Sequence, residues 1–354
     1  MINVTKTFLP DFDTYSSTLK RAWDKVWLTN NGELVQELEA KLKTYLGVQN
    51  FLFTNNGTLP LQMALKALNI TEEVITTPFS YVATTNAILW EGCKPVFVDI
   101  DATTLCIDAT KIEAAITPHT QAIFATHVYG IPCNVEAIDA IAKKHGLKVI
   151  YDAAHAFGVS YKGKSLLSYG DISTCSFHAT KIFHTVEGGC IIANDDAVFK
   201  QLYLYRQFGH VYDDYFSVGI NGKNSEFHAA MGLCVLPHIE EIIEARKKAS
   251  EYYHSLLQNV ERPLIPGQVQ YNYSYYPIIF KSETALLQAV QILKEQGISG
   301  RRYFYPSLNE LPFLQKQSCP VSEDISRRVL CLPLYVGLQM NEVAHIAQLI
   351  NQSI

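Results

Sequence analysis

Residues 122–152 read AIFATHVYGIPCNVEAIDAIAKKHGLKVIYD. Two short runs rich in apolar and β-branched residues, Ala122 to Thr126 and Lys148 to Asp152, flank a stretch from Val135 to His145 with helical periodicity. Strand, helix and strand in this order are what a parallel sheet covered by helices produces. The alternation extends in both directions, from about residue 34 to 194. Phe51 to Thr54, Val74 to Thr77, Pro95 to Val98, Ile172 to Phe177 and Cys190 to Ala193 bring the expected strands to seven. Leu34, Leu38, Leu42 and Tyr45 recur at helical spacing and predict a helix over Leu34 to Leu46. Strands this uniformly apolar are buried on both faces.

After Asn194 the pattern changes. A mixed helical region passes through Leu202 and Tyr205 and then Glu240 to Leu257, followed by Pro263, Pro266 and Gly267. Beyond it, YNYSYYPIIF (271–280) reads as a strand, LLQAVQILKEQG (286–297) as a helix closed by Gly297, and EVAHIAQLI (342–350) as a terminal helix. The expected organisation is a large α/β domain over 1–240 and a small α+β domain over 241–354.

Composition narrows the function classes. The 354 residues are 48% hydrophobic and 18% charged, ample for full cores and far from disorder. Lysine and arginine total 29 against 34 acids, a net of −5, which argues against a nucleic-acid partner. No apolar stretch approaches the ~20 residues a membrane helix needs, and MINVTKTFLPDFD shows no leader pattern. The eight cysteines (93, 106, 133, 175, 190, 234, 319 and 331) are scattered through apolar segments without a CxxC pair. They read as buried free thiols, and a cytoplasmic setting is expected.

Ligands of open α/β sheets bind at the carboxyl ends of the strands. The first strand runs into Asn55-Asn56-Gly57-Thr58 and then a helix with Pro60 in its first turn, a glycine turn with backbone N–H groups free for an anion; read alone, it is an ordinary turn. His127 follows the Ala122 strand. Asp152 ends the Lys148 strand, where it either faces a cation or caps a following helix. The Ile172 strand leads to Lys181, a candidate Schiff-base nucleophile if its surroundings are apolar. An anion-binding turn, an acid and a lysine at one sheet edge are the set that pyridoxal phosphate requires. His178, Lys181 and His184 do not make a metal site, because no carboxylate or cysteine completes a set.

NNGT (55–58), TPFSYVATTNAI (77–88), VFVDID (96–101), HVYG (127–130), YDAAHAFG (151–158), SFHATK (176–181) and EGG (187–189) resemble, in order and spacing, the DegT/DnrJ/EryC1/StrS family of nucleotide-sugar aminotransferases. The resemblance continues through RYFYPSLN (302–309) and RVLCLPLYVGL (328–338). It implies a fold type I transferase dependent on pyridoxal 5′-phosphate (PLP). Lys181 matches the lysine that binds the cofactor aldehyde and shuttles the proton. Asp152 matches the partner of the pyridine nitrogen, His155 the contact to the ring hydroxyl, and Tyr81 the aromatic stacked on the ring. Gly57, Thr58 and Ser176 match the phosphate holders, and Asn221 resembles the asparagine given by a neighbouring subunit, which implies a homodimer with shared sites. His178 faces the sugar or holds a neighbouring group in place. Trp27, Leu28, Thr29 and the Tyr305 loop are where the resemblance puts the nucleotide.

The implied reaction moves an amino group from L-glutamate, released as 2-oxoglutarate, to a nucleotide-linked keto-deoxysugar. The expected acceptor is dTDP-4-keto-6-deoxy-D-glucose, for surface-glycan (lipopolysaccharide O-antigen) or antibiotic sugars. A 3-keto sugar, a UDP or GDP carrier, and a non-catalytic regulatory paralogue remain as alternatives. Retention of Lys181 argues against the branch of the family that removes a hydroxyl using histidine. Four positions depart from the family pattern: Val186 replaces a glycine, Lys223 an arginine, and Gly222 and Asn224 a tyrosine and a methionine. The local positive charge that an anionic cofactor and a diphosphate need must be gathered near the site.

Overall fold

A computed structural model describes residues 1–353. An N-terminal helix α1 (Phe12–Asp24) precedes α2 (Glu33–Leu46), whose stripe Leu34, Leu38, Leu42 and Leu46 is buried. Each such leucine contributes roughly 2 kcal/mol of burial, and Leu38→Ala would cost about 2–5 kcal/mol. Glu226, itself buried, accepts the Leu34 and Val35 N–H groups at 2.7 and 3.1 Å and so caps α2 from a distant segment.

Seven strands then form one sheet: β1 (Phe51–Thr54), β2 (Glu73–Thr76), β3 (Lys94–Phe97), β4 (Thr120–Thr126), β5 (Lys148–Asp152), β6 (Ile172–Ser176) and β7 (Gly189–Ala193), in the order β1-β7-β6-β5-β4-β2-β3. All seven expected strands are present, with ends displaced by a residue or two. The β2–β3, β2–β4, β4–β5 and β5–β6 pairings are parallel, and only β7 runs against its neighbours. Alternate residues divide cleanly between two cores. Phe51, Phe53, Ile123, Val149 and Tyr151 face one, while Leu52, Ala122, Phe124 and Ile150 face the other. That is the period-2 signature of a sheet covered on both sides.

The helices between the strands include α3 (Leu59–Ala67), α4 (Val82–Trp90) and α5 (Val135–His145), which ends on Gly146 in the left-handed conformation. After the sheet come α6 (Asp196–Arg206), α7 (Glu226–Val235) and the long α8 (Ile239–Leu256). Ile239 and Ile242 of α8 join the sheet's core, while Ala249 and Tyr253 join a separate C-terminal core. This second core covers the antiparallel pair β8 (Tyr276–Ile279) and β9 (Val329–Leu332) with α9 (Glu283–Glu295) and α11 (Met340–Gln352). Between these helices, α10 (Pro320–Arg328) has its first N–H groups, Val321 and Ser322, bound by the buried Asp99 carboxylate. No helix among the described residues is long and apolar enough to cross a membrane. All eight cysteines are buried with free thiols.

One sequence expectation fails here. The strand read over 271–280 begins only at Tyr276. Residues 272–274 instead turn toward the sheet edge, where Asn272 Nδ2 donates to the carbonyls of His155 and Phe157 and Ser274 Oγ donates to that of His155. Side chains replace a strand partner in satisfying that backbone.

Candidate active site

The carboxyl ends of β4, β5 and β6 open onto a cavity of about 290 Å³. Asp152, the last residue of β5, lines it and is buried. No helix follows, so the capping alternative falls: Asp152 Oδ1 accepts only the Ala154 N–H of the succeeding turn, at 3.1 Å. Its Oδ2 accepts from Thr84 Oγ1 at 2.7 Å; Thr84 is 2.8 Å from Ser80 Oγ, which is 2.9 Å from Thr126 Oγ1. A carboxylate cannot donate and each hydroxyl has one proton, so the chain runs one way, Thr126 to Ser80 to Thr84 to Asp152. It supports the ionised acid from inside the protein. Burial nonetheless holds the Asp152 pKa above its ordinary value, with Thr84, the Ala154 N–H and the Lys181 charge acting against that rise. Among the described residues no cation forms an ion pair with it.

His155 follows in the same turn. Its Nδ1 accepts the Tyr129 N–H at 3.2 Å, which leaves the ring proton on Nε2 as a donor. The imidazole lies parallel to Phe304 at 5.7 Å and edge-on to Tyr275 at 4.7 Å. Burial drives its pKa well down, so the ring is neutral.

Gly57 and Ser176 meet beneath the start of α3. A Cβ on Gly57 would fall 2.7 Å from Ser176 Cβ and 2.9 Å from Ser176 Cα, so the close approach demands glycine. Asn56 Oδ1 accepts the N–H groups of both Thr58 and Leu59 at 2.8 Å. The Thr58 amide expected to hold an anion is thus engaged within the turn, and Gly57, Thr58 and Ser176 line the cavity there.

Lys181 sits in the loop between β6 and β7, anchored by its N–H to the His178 carbonyl at 2.8 Å. Burial lowers its pKa, opposed by nearby Tyr303, Asp152, Cys175 and Tyr81. Tyr81, half exposed, stands at the start of α4 on the same cavity wall. His178 also lines the cavity; its Nδ1 accepts the Thr180 N–H at 3.2 Å, and its Nε2 is 3.6 Å from Glu187. His184, by contrast, is buried with Nε2 against the Phe8 carbonyl at 2.6 Å.

The structure therefore brings together Gly57, Thr58, Tyr81, Asp152, His155, Ser176, His178 and Lys181. It does not bring Trp27, Leu28, Thr29, Asn221 or Tyr305 to that cavity. Trp27, Leu28 and Thr29 are exposed after α1, where Leu28 O accepts the Glu226 N–H. Tyr305 packs on the Arg302 guanidinium, 3.5 Å from the ring centre. Asn221 is exposed and lines a separate cavity of about 450 Å³ beside Trp90 and Val218. Sequence reasoning missed Ser80, Thr84, Thr126, Tyr275, Arg301, Tyr303 and Phe304, all on or beside the cavity wall.

A buried acid with no ion pair among the described residues, a lysine with a depressed pKa, a neutral histidine donor and a cradle that admits only glycine fit a pyridinium ring bearing a phosphate and an aldehyde. The profile of the "DegT/DnrJ/EryC1/StrS aminotransferase family" matches residues 13–351. The chain is 42% identical over 361 residues to a dTDP-4-amino-4,6-dideoxy-D-glucose transaminase of Shigella dysenteriae, covering 99% of this chain and 98% of that protein. It is 32% identical to a GDP-perosamine synthase of Escherichia coli O157:H7, covering 93% and 92%. Among solved structures it matches DesI, determined in the presence of its TDP-sugar product, with a TM-score of 0.94 and 31% identity over 99% of this chain and 92% of that one.

Proposed function

The chain belongs to the DegT/DnrJ/EryC1/StrS aminotransferase family, and from that membership we propose a transfer of the amino group of L-glutamate to C4 of dTDP-4-keto-6-deoxy-D-glucose. The family and its structural neighbours are PLP-dependent sugar aminotransferases, and this chain is an aminotransferase. Similarity at 42% to a protein named for a 4-amino-4,6-dideoxyglucose favours C4 and dTDP over the alternatives. The residues around the cavity fit PLP, which would supply a ring able to take up electrons when a Cα–H bond breaks.

This chain's own residues set the remaining requirements. Asp152 offers a buried negative charge to a ring nitrogen, and its hydroxyl chain keeps that charge available. His155 Nε2–H donates to a ring oxygen. Tyr81 gives a flat apolar face, and Gly57, Thr58 and Ser176 cradle a phosphate. Lys181, with its pKa lowered by burial, presents more of the neutral amine at physiological pH and can accept a proton from the donor's α-carbon and return one to the sugar carbon. Glutamate and keto sugar use the site in turn, a ping-pong sequence.

The reading extends to assembly. Phe208, Tyr212, Tyr215, Phe216 and Val218 near Asn221 are exposed, a concentration of aromatic surface that suits a homodimer in which Asn221 reaches the partner's phosphate cradle. The division at residue 240, a cytoplasmic setting and a product used in surface glycans such as lipopolysaccharide O-antigen belong to the same reading.

The observation that carries it is Asp152: a buried carboxylate with no ion pair among the described residues, on one cavity wall with Lys181. Adding PLP to the purified protein should produce a visible absorption band that shifts when glutamate follows. A protein that is colourless once unbound PLP has been removed overturns the reading.

A further inference from the structure

Arg301 and Arg302 are adjacent, yet they are spent differently. Arg302 donates to Glu283 at 2.7 Å and to the Arg327 carbonyl at 3.1 Å. The guanidinium groups of Arg21, Arg206, Arg246, Arg262, Arg327 and Arg328 are likewise each engaged by a carboxylate or a backbone carbonyl. Among the described residues, Arg301 alone of the arginines has no side-chain hydrogen bond. Its backbone is fixed on both sides, since its N–H donates to the Cys331 carbonyl at 3.0 Å and its own carbonyl accepts the Cys331 N–H at 2.8 Å. Its guanidinium lies 4.5 Å from the centre of the Tyr303 ring, an aromatic shelf that orients the planar fork. And it lines the cavity of Lys181.

Arg301 is exposed and also lines the cavity, so its donors, unengaged by other side chains or carbonyls, are open to a planar anion bound through two parallel N–H···O contacts. We propose that Arg301 binds the carboxylate of the amino donor and so selects an amino acid as the first substrate. The inference rests on the glutamate half of the function proposed above. The donor's α-carboxylate is attached to the same carbon as the amine that must meet Lys181, so the anion has to lie inside the cavity. The diphosphate of a sugar nucleotide is separated from C4 by the width of the hexose ring, which takes it away from Lys181. Asp152 and Glu187 are the acids on this wall and Lys181 and Arg301 its lysine and arginine; Lys181 is committed to the chemistry. Of these two, Arg301 remains to compensate a carboxylate.

The test uses Arg301→Met and Arg301→Lys in the PLP-loaded protein, with circular dichroism as the check of folding. Calorimetry with glutarate, an unreactive dicarboxylate, measures binding without turnover. The two half-reactions, glutamate with the PLP form and keto sugar with the aminated form, are then followed separately by absorbance. The expected result for Arg301→Met is about tenfold or more weaker binding of glutarate and a matching rise in the glutamate KM, consistent with loss of a charge-assisted contact. The keto-sugar KM should stay within about twofold, and Arg301→Lys should recover part of the loss. Unchanged glutarate binding overturns the proposal, as does a loss confined to the sugar half-reaction, which would assign Arg301 to the diphosphate, or an equal loss in both. Were the wild-type protein to take no amine from glutamate, the parent reading would fall, and glutarate binding would still report on Arg301.

Discussion

Thr84 Oγ1 donates to Asp152 Oδ2 across 2.7 Å, both atoms buried, and is the last step of a hydroxyl chain that begins at Thr126. Replacing Thr84 by valine keeps the shape and removes the donor. A hydrogen bond to a charged group is worth roughly 1.5–3 kcal/mol, so Thr84→Val should weaken PLP binding to the cofactor-free protein by about tenfold or more, and Thr84→Ser should restore it. Titration of the cofactor-free variants with PLP, read by fluorescence, checks this. An unchanged affinity would show that the chain is structural only.

Asp152 carries a stability cost that the ligand must offset. Burial raises its pKa above the ordinary 3.8, so between the two values the folded, cofactor-free chain binds more protons than the unfolded one. Its stability therefore falls as pH rises through that window, and the penalty is complete above it. In Asp152→Asn the penalty disappears, and because each hydroxyl of the chain can rotate, Thr84, Ser80 and Thr126 can reverse their donation to accept the amide N–H. The cofactor-free variant should be at least as stable as wild type at pH 7 and gain nothing on acidification toward pH 5, while turnover drops by at least about a hundredfold. Urea denaturation at both pH values decides it; a variant markedly less stable at pH 7 would show that the buried carboxylate stabilises the fold.

Gly57→Ala should fail for a backbone reason. The added methyl would meet Ser176 Cβ at 2.7 Å and Ser176 Cα at 2.9 Å, and the cost of such overpacking is about 1–3 kcal/mol. A lower thermal midpoint together with weaker PLP binding is expected. Wild-type behaviour in both would show that the turn can relax.

Val186 holds a φ of 67°, a left-handed conformation that costs a β-branched residue roughly 1–2 kcal/mol. It is 44% exposed, so its side chain returns little by burial. After allowing for the flexibility glycine adds to the unfolded chain, Val186→Gly should stabilise by up to about 1 kcal/mol in urea. A lower urea midpoint would contradict the strain.

Seven strands and the helix over 135–145 were legible because a sheet buried on both faces writes uninterrupted apolar runs between helical repeats. Lys181, Asp152 and Gly57 were legible because each lies at or after the carboxyl end of a strand at the same edge. Thr84 was not: in VATTNAILW it is a small residue in a mostly apolar helix, and only the approach of α4 to β5 gives it a role. Arg301 and Phe304 reach the cavity through the pairing of residue 301 with Cys331, a long-range contact without local pattern. The stretch 271–275 alternates like a strand, but Asn272 and Ser274 bind the turn after β5 instead. Asn221, Trp27 and Tyr305 lie away from the cavity of their own chain.

Amination at C4 of a dTDP-linked keto sugar is read from the structure of the product. The protein, PLP, L-glutamate and dTDP-4-keto-6-deoxy-D-glucose are incubated together and the amine position is assigned by NMR. The expected product is a 4-amino-4,6-dideoxyhexose on dTDP, with 2-oxoglutarate released in equal amount. An amine at C3, or an acceptor left unchanged beside an active 3-keto, UDP- or GDP-linked substrate, would contradict it.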